Sequence, residues 1–165
     1  MASRKEYPLC LEIGCGRGIG AEIIVKQFGA QKVIATDIDP YMIEIAKKHL
    51  RPELRDKIEF RTADAMAIDE PDEKFDAVFS FGVIHHMEDW RKALKEVSRV
   101  LKSKGEFFFE EFLRPFIRAF TLASHPRGGE FGFEEFREEL KNNGIDIINV
   151  RRFGNIGIIG VGRKG

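Results

Sequence analysis

The stretch from Leu9 to Gly20 reads Leu-Cys-Leu-Glu-Ile-Gly-Cys-Gly-Arg-Gly-Ile-Gly, and it narrows the possible folds more than any other part of the chain. Apolar residues of strand character run into glycines at alternate positions, Gly14, Gly16, Gly18 and Gly20, and a helix-like stretch from Ala21 to Phe28 follows. Glycine lets the backbone turn through positive φ and lets a ligand lie against the main chain. A strand, a tight glycine turn and a helix N-terminus in succession build the kind of site that takes a nucleotide. The spacing is not that of a dinucleotide fingerprint, because Gly-x-Gly-x-x-Gly from Gly14 would need glycine where Ile19 stands. A glycine-rich turn after a strand can also be purely structural, so its meaning depends on the residues beyond it.

Strand-like apolar runs alternate with helix-period segments almost to the C-terminus, the pattern of a mainly parallel α/β sheet. Leu9 to Ile13 is the first strand, and its helix, Gly20 to Phe28, stops at Gly29. Lys32 to Asp37 is the second strand. Asp39-Pro40 opens a helix through Leu50, with an aspartate to cap it and proline in the first turn. Ile58 to Thr62 and Phe75 to Ser80 are the third and fourth strands. Asp89 caps a helix on which Trp90, Leu94, Val97 and Leu101 recur at helical spacing, and Gly105 releases the chain into a fifth strand, Glu106 to Glu110. An irregular segment from Phe112 to Gly132 precedes a helix from Phe133 to Asn143, ended by Gly144. Ile145 to Phe153 and Ile156 to Gly162 close the order as a hairpin turned at Gly154-Asn155.

The 165 residues suit a single domain, 1–165. Lys+Arg and Asp+Glu are both 27, so the basic excess of a nucleic-acid-binding chain is missing. Cys10 and Cys15 lie in and just after one strand with side chains that do not meet, which reads as reduced thiols in a cytoplasmic protein. No Cys-x-x-Cys or histidine cluster suggests a metal. Met1 to Tyr7 is short and charged, unlike a signal peptide. The phenylalanine-rich stretch from Phe107 to Phe120 is broken by Glu110, Glu111, Arg114 and Arg118 and cannot span a bilayer.

Asp37 closes the second strand, 23 positions after Gly14 (37 − 14). A carboxylate there accepts hydrogen bonds from both hydroxyls of a ribose. A turn or cap role within Asp37-Ile-Asp-Pro40 is the alternative, and Asp39 fits that role better. Asp64, in Thr62-Ala-Asp-Ala-Met66 just past the third strand, has small neighbours that leave room for a flat base.

Glu12 two residues before Gly-x-Gly-x-Gly, then Asp37, Asp64 and the stretch Phe75-Asp-Ala-Val-Phe-Ser-Phe-Gly-Val-Ile-His-His-Met-Glu-Asp-Trp90 stand in an order that resembles the class I S-adenosylmethionine-dependent methyltransferases. The likeness covers Leu9 to Gly162 and is greatest to the small-molecule type, including the ubiquinone/menaquinone-biosynthesis enzymes. It implies a Rossmann-like α/β fold, with a seven-stranded, mostly parallel sheet, helices on both faces and an antiparallel last strand beside the fifth. It implies S-adenosyl-L-methionine as cofactor, with Glu12 holding the methionine amine through the loop of Gly14, Cys15, Gly16 and Gly18. Asp37, with Ile38 beside it, would serve the ribose. Asp64 would take the adenine amine and Ala65 would offer a backbone NH to the ring, while Ser80 and Phe81 would border the methionine end.

By the same resemblance His85 or His86 faces the transferred methyl, where a histidine orients a hydroxyl or takes its proton; packing or capping the next helix is the alternative for each. The Asp/Asn/Ser-Pro-Pro-aromatic tetrad of nucleic-acid amino methylases is replaced here by Ser80-Phe-Gly-Val83, and no Pro-Cys nucleophile occurs, so the expected acceptor is a small molecule and not nucleic acid. Phe112, Phe116 and Phe120, at i, i+4 spacing, are either an apolar acceptor pocket with Arg114, Arg118, His125 or Arg127 at its mouth, or the packing or dimer face of an amphipathic helix, which the spacing favours. The family usually carries one or two helices before the first strand. Here that strand begins within about ten residues of Met1. The expectation is an open site completed by a partner subunit, a second copy or the 112–129 segment. A non-catalytic cofactor-binding domain is the alternative to an enzyme.

Overall fold

The computed structural model describes residues 6–120 and 129–165, with the side chains of 118–120 outside that description. Strands β1 (Tyr7–Ile13), β2 (Ala30–Asp37), β3 (Ile58–Thr62), β4 (Phe75–Phe81), β5 (Leu101–Phe112), β6 (Ile145–Phe153) and β7 (Gly157–Lys164) form one sheet in the order β3-β2-β1-β4-β5-β7-β6. The first five strands run parallel, and β7 is antiparallel to both β5 and β6. Ile13 pairs with Thr36 on one side and Ser80 on the other, so β1, β2 and β4 end at one edge. The strand order reverses beside β1, and ligands of open α/β sheets bind at that reversal, beyond the strand C-termini.

Helices α1 (Ile19–Phe28) and α2 (Pro40–His49) cover one face; α3 (Trp90–Val100) and α5 (Phe133–Asn142) cover the other. The two-residue side-chain period of a strand divides the core accordingly. Cys10, Ala77 and Phe79 face Ala21, Ile24, Ile43 and Ala46, while Leu11, Val78, Phe107 and Phe109 face Trp90, Leu94, Phe136 and Leu140. Caps fix the helix starts: Asp39 accepts from the Tyr41 amide (2.8 Å) with Pro40 in the first turn, and Asp89 accepts from the Lys92 amide (3.1 Å). Glu106, buried, accepts from the Tyr7 hydroxyl on β1 and from Arg163 on β7 (2.7 Å), tying three strands together.

The seven strands, the helices on both faces and the antiparallel insertion of β7 stand as the sequence led us to expect. Several ends shift by one or two residues, β1 beginning at Tyr7 and β2 at Ala30, and two differences are larger. α3 ends at Val100, and Leu101 opens β5 by pairing with Phe75, before a register shift brings Glu106 opposite Ala77. Lys104 sits at φ 63°, so the polar Lys102 to Gly105 stretch is a bulge inside the strand and not the turn before it. The segment read as irregular contains a short helix, α4 (Arg114–Phe120), as the spacing of Phe112, Phe116 and Phe120 favours.

Candidate functional site at the strand C-terminal edge

Beyond β1 the chain takes positive φ at Gly14, Gly16 and Gly18, the last being the N-cap of α1. These glycines answer to different neighbours. A Cβ on Gly14 would lie 2.2 Å from Val83, one on Gly18 2.7 Å from Phe60, and one on Gly20 1.9 Å from the Glu12 carboxylate. Only Gly16 among the four has open space where a side chain would stand. Cys15 is buried, its amide bonded to the Thr36 carbonyl (2.8 Å), and burial followed by the nearby Glu12 and Asp37 holds its thiol well above the usual range.

Glu12 lies behind this turn, 2% exposed. It receives a backbone hydrogen bond from Ala21, but Oε2 has no partner among the described residues. Burial, and secondarily repulsion from Asp37, push its carboxyl up to about 8 against the opposing Ala21 bond. A buried, half-satisfied carboxylate is costly, and a cation with N–H donors is the group that would relieve it.

Asp37 ends β2, half-buried, with Oδ2 accepting from the Gly16 amide (2.8 Å) and Oδ1 from the Asp39 amide (2.9 Å). Each oxygen keeps a further lone pair for an incoming hydroxyl. Ile38 follows it at 66% exposure, a large apolar side chain presented at the strand ends. Asp64, beyond β3, is half-buried and accepts at Oδ1 from the Met66 amide (2.8 Å), while Ala65 is buried in the core cluster on the α3 side. The structure brings Glu12, the glycine turn and Asp37 together directly.

At the end of β4, Phe81 is half-buried and would touch a Cβ on Gly20, whereas Ser80 is wholly buried and donates its hydroxyl to Glu111 Oε1 (2.7 Å). A 3-10 turn, Ile84–His86, follows. His85 is buried with Nδ1 2.8 Å from Glu111 Oε2, and His86 is exposed with its ring 4.2 Å from that of His85. The sequence names Glu111 only as a charge that breaks the phenylalanine-rich stretch, with no role in the site. Its signal was nonetheless present, since Phe107, Phe109 and Glu111 share one face of β5 by the two-residue period, which predicts a buried carboxylate in need of donors. Phe112 stacks on Phe116 (5.0 Å) and meets the His85 ring edge-on (5.4 Å). Phe112, Phe153 and Ile156 line a cavity of about 300 Å³ beside Glu111. Arg114 is engaged with Glu135 (2.6 Å), and the side chains of Arg118, Phe120, His125 and Arg127 lie outside the described residues. A separate cleft of about 400 Å³ between α1 and α2 is lined by Arg17, Ile19 and Phe60, and neither Glu12 nor Asp37 lines it.

Residues 11–109 match the family described as a methyltransferase domain. The chain belongs to the class I S-adenosylmethionine-dependent methyltransferases. Among its relatives are the 27-O-demethylrifamycin SV methyltransferase of Amycolatopsis mediterranei, 30% identical over 131 residues (78% of this chain, 44% of that protein), and the sterol 24-C-methyltransferase erg6 of Aspergillus fumigatus, 37% identical over 110 residues (66% and 29%). This methyltransferase chain thus spans less than half the length of these curated relatives. The YcgJ protein of Bacillus subtilis has the same fold, with a TM-score of 0.82 at 19% identity over 99% of this chain and 94% of that one. So does the structure of the Haloferax volcanii Trm112 methyltransferase activator in complex with a methyltransferase, with a TM-score of 0.83 at 16% identity over 98% and 84%.

Membership makes S-adenosylmethionine the cofactor, and the unpartnered Glu12 Oε2 and the Asp37 carboxylate are acceptors of the kind that would suit its ammonium and ribose hydroxyls. Among the described residues no helix is long and apolar enough to cross a membrane.

Proposed function

We propose that this chain is a single-domain, cytoplasmic enzyme that transfers a methyl group from S-adenosylmethionine to a small molecule with an apolar part. The observation that carries the reading is Glu12, a buried carboxylate with one oxygen unpartnered among the described residues, directly behind the glycine turn and beside Asp37. When bound, the cofactor supplies an electrophilic methyl on a sulfonium that is already a good leaving group. The protein's share is therefore alignment and the exclusion of water. In this reading Glu12 holds the ammonium, Asp37 the ribose hydroxyls, and Asp64 with Ala65 the adenine. Phe81 and the neighbourhood of Ser80 border the methionine end, and His85 or His86 serves the acceptor. Zero formal net charge and the missing Pro-Pro tetrad support a small-molecule acceptor over nucleic acid. The exposed rings and branches of Phe112, Phe153 and Ile156 beside the strand edge support an acceptor with an apolar part. Both cysteines are free, which supports a reducing compartment.

A second reading, a site completed by another chain, has its own support. Apolar side chains stand exposed at the mouth of the site, and a neighbour of the same fold is a methyltransferase in complex with the Trm112 activator. Calorimetric titration with S-adenosylhomocysteine, with NADH as control, tests the proposal. Binding of the former alone is expected. Preference for NADH would refute it, and binding of S-adenosylhomocysteine with methylation only after a second chain is added would favour the alternative.

A further inference from the structure

We propose that Arg99, paired with Glu96, is the positioning residue for the segment after β3, so that preference for adenine in the cofactor is set from α3. This rests on the assignment above of Asp64 and Ala65 to the adenine, and it names the side chains that hold them in place. Between β3 and β4 the chain, residues 63–74, forms neither helix nor strand. Its backbone groups have no regular partners and must be satisfied one by one. At the start, the Ala63 amide bonds to the Asp37 carbonyl (3.0 Å), the Met66 amide to Asp64 Oδ1 (2.8 Å) and the Ala67 amide to the Asp64 carbonyl (3.1 Å). At the end, the Glu73 and Lys74 amides bond to the carbonyls of Arg99 and Val100 (3.0 and 2.9 Å). The middle is held by side chains of α3. Glu96 Oε2 accepts from the Ile68 amide (2.9 Å), and Arg99 donates to the carbonyls of Ile68 and Glu70 (2.7 Å each).

Every N–H of the Arg99 guanidinium is used in this clamp. Nε and Nη2 each meet an oxygen of Glu96 (2.9 Å each), Nη2 also meets the Ile68 carbonyl, and Nη1 meets the Glu70 carbonyl and Asp72 (2.8 Å). Both backbone groups of Ile68 are thus tied to the pair, and its side chain is buried in the same core cluster as Ala65. Only Met66 and Ala67 separate Ile68 from Ala65, so a shift at Ile68 reaches the Ala65 amide and the Asp64 carboxylate together. A lysine, with its donors at one point, cannot make this planar set. Adenine presents a donor, its exocyclic amine, and an acceptor, ring N1, to a carboxylate that accepts and an amide that donates. The 6-oxo base of an inosine carries an acceptor and an N–H in those places and reverses both. A segment held rigidly rejects that base, because its polar groups would be left unpaired; a segment free to shift does not.

The test is calorimetric titration of the full chain with S-adenosylhomocysteine and with S-inosylhomocysteine. The wild type is expected to prefer the former by about tenfold or more, and Arg99→Gln by less than about threefold. A general loosening of the fold weakens both ligands alike, so the ratio of the two affinities carries the test. In an Asp64→Ala background, Arg99→Gln should change S-adenosylhomocysteine affinity by less than about twofold, since the group it positions is gone. Arg99→Gln with the wild-type ratio overturns the proposal. Asp64→Ala with the wild-type ratio instead refutes the adenine assignment on which it stands, so the two failures are distinguishable. Should Arg99→Gln fail to fold, amide hydrogen exchange of the ligand-free wild type still decides. The Ile68 amide is expected to exchange about a hundredfold or more slower than in an unstructured chain. Exchange at the unstructured rate overturns the proposal whatever the variants do.

Discussion

Glu12 is held where its charge is poorly tolerated, and this gives it a pH signature. Its folded-state value of about 8 lies above the ordinary 4.5, so the folded protein prefers the neutral acid. The sign follows from linkage: stability from this group is greatest below the unfolded value and declines as pH rises through about 8. Glu12→Gln should remove that decline, making the ligand-free protein more resistant to urea at pH 8.5 than the wild type while leaving the two close at pH 5. The same variant should bind S-adenosylhomocysteine more weakly, and wild-type affinity should rise between pH 6 and pH 8 as the acid gives up its proton to buffer on meeting the ammonium. A wild-type urea midpoint with no such pH trend would contradict this account. Asp37→Ala should weaken binding by about 1–3 kcal/mol through lost charge-assisted hydrogen bonds, read by calorimetry. Gly14→Ala, at φ 67° and 2.2 Å from Val83, should cost about 2–5 kcal/mol of stability. Gly16→Ala meets no neighbour and should cost only about 1–2 kcal/mol, from backbone strain at φ 49°.

Among the elements, α3 is the one whose loss should be felt most. Trp90 is 1% exposed and packs on Phe131 (4.8 Å) and Phe136 of α5. Trp90→Ala should destabilise by about 3–5 kcal/mol in a denaturant titration. This helix was readable because Asp89 caps it and its apolar residues keep one period. β1 to β4 were readable for a related reason, as buried parallel strands are short apolar runs between turn residues. The start of β5 was hidden, because Lys-Ser-Lys-Gly has turn chemistry and its pairing comes from the register of Phe75 on a distant strand. α4 was half-legible: the i, i+4 spacing of Phe112, Phe116 and Phe120 favours a helix, but its boundary is set by long-range contacts, the Leu113 amide on the Ile156 carbonyl and the Arg114 amide on that of Phe131. In the site, the glycine turn and the strand-end acids could be read because each follows a strand. Glu111 was passed over because adjacent acids, Glu110 and Glu111, look like a solvated pair until β5 divides them between two faces.

At the scale of the molecule, the ligand edge is where the two halves of the core meet, since Phe60 and Val83, which wedge the glycine turn, come from β3 and from the loop after β4. Filling that edge should stabilise the whole sheet. At a hundredfold excess over its dissociation constant, S-adenosylhomocysteine should add about 2.7 kcal/mol, raising the melting temperature by about 5–10 °C in differential scanning. The same wedge has a consequence for inheritance. Gly14, Gly18 and Gly20 are demanded by Val83, Phe60 and the Glu12 carboxylate, neighbours belonging to the protein itself. A descendant that had abandoned its ligand would still keep Gly14 and Gly18 merely to fold, whereas Gly20 would be released once Glu12 changed and Gly16 would be held by its positive φ alone, so part of the signature at this turn can outlive the activity it advertises.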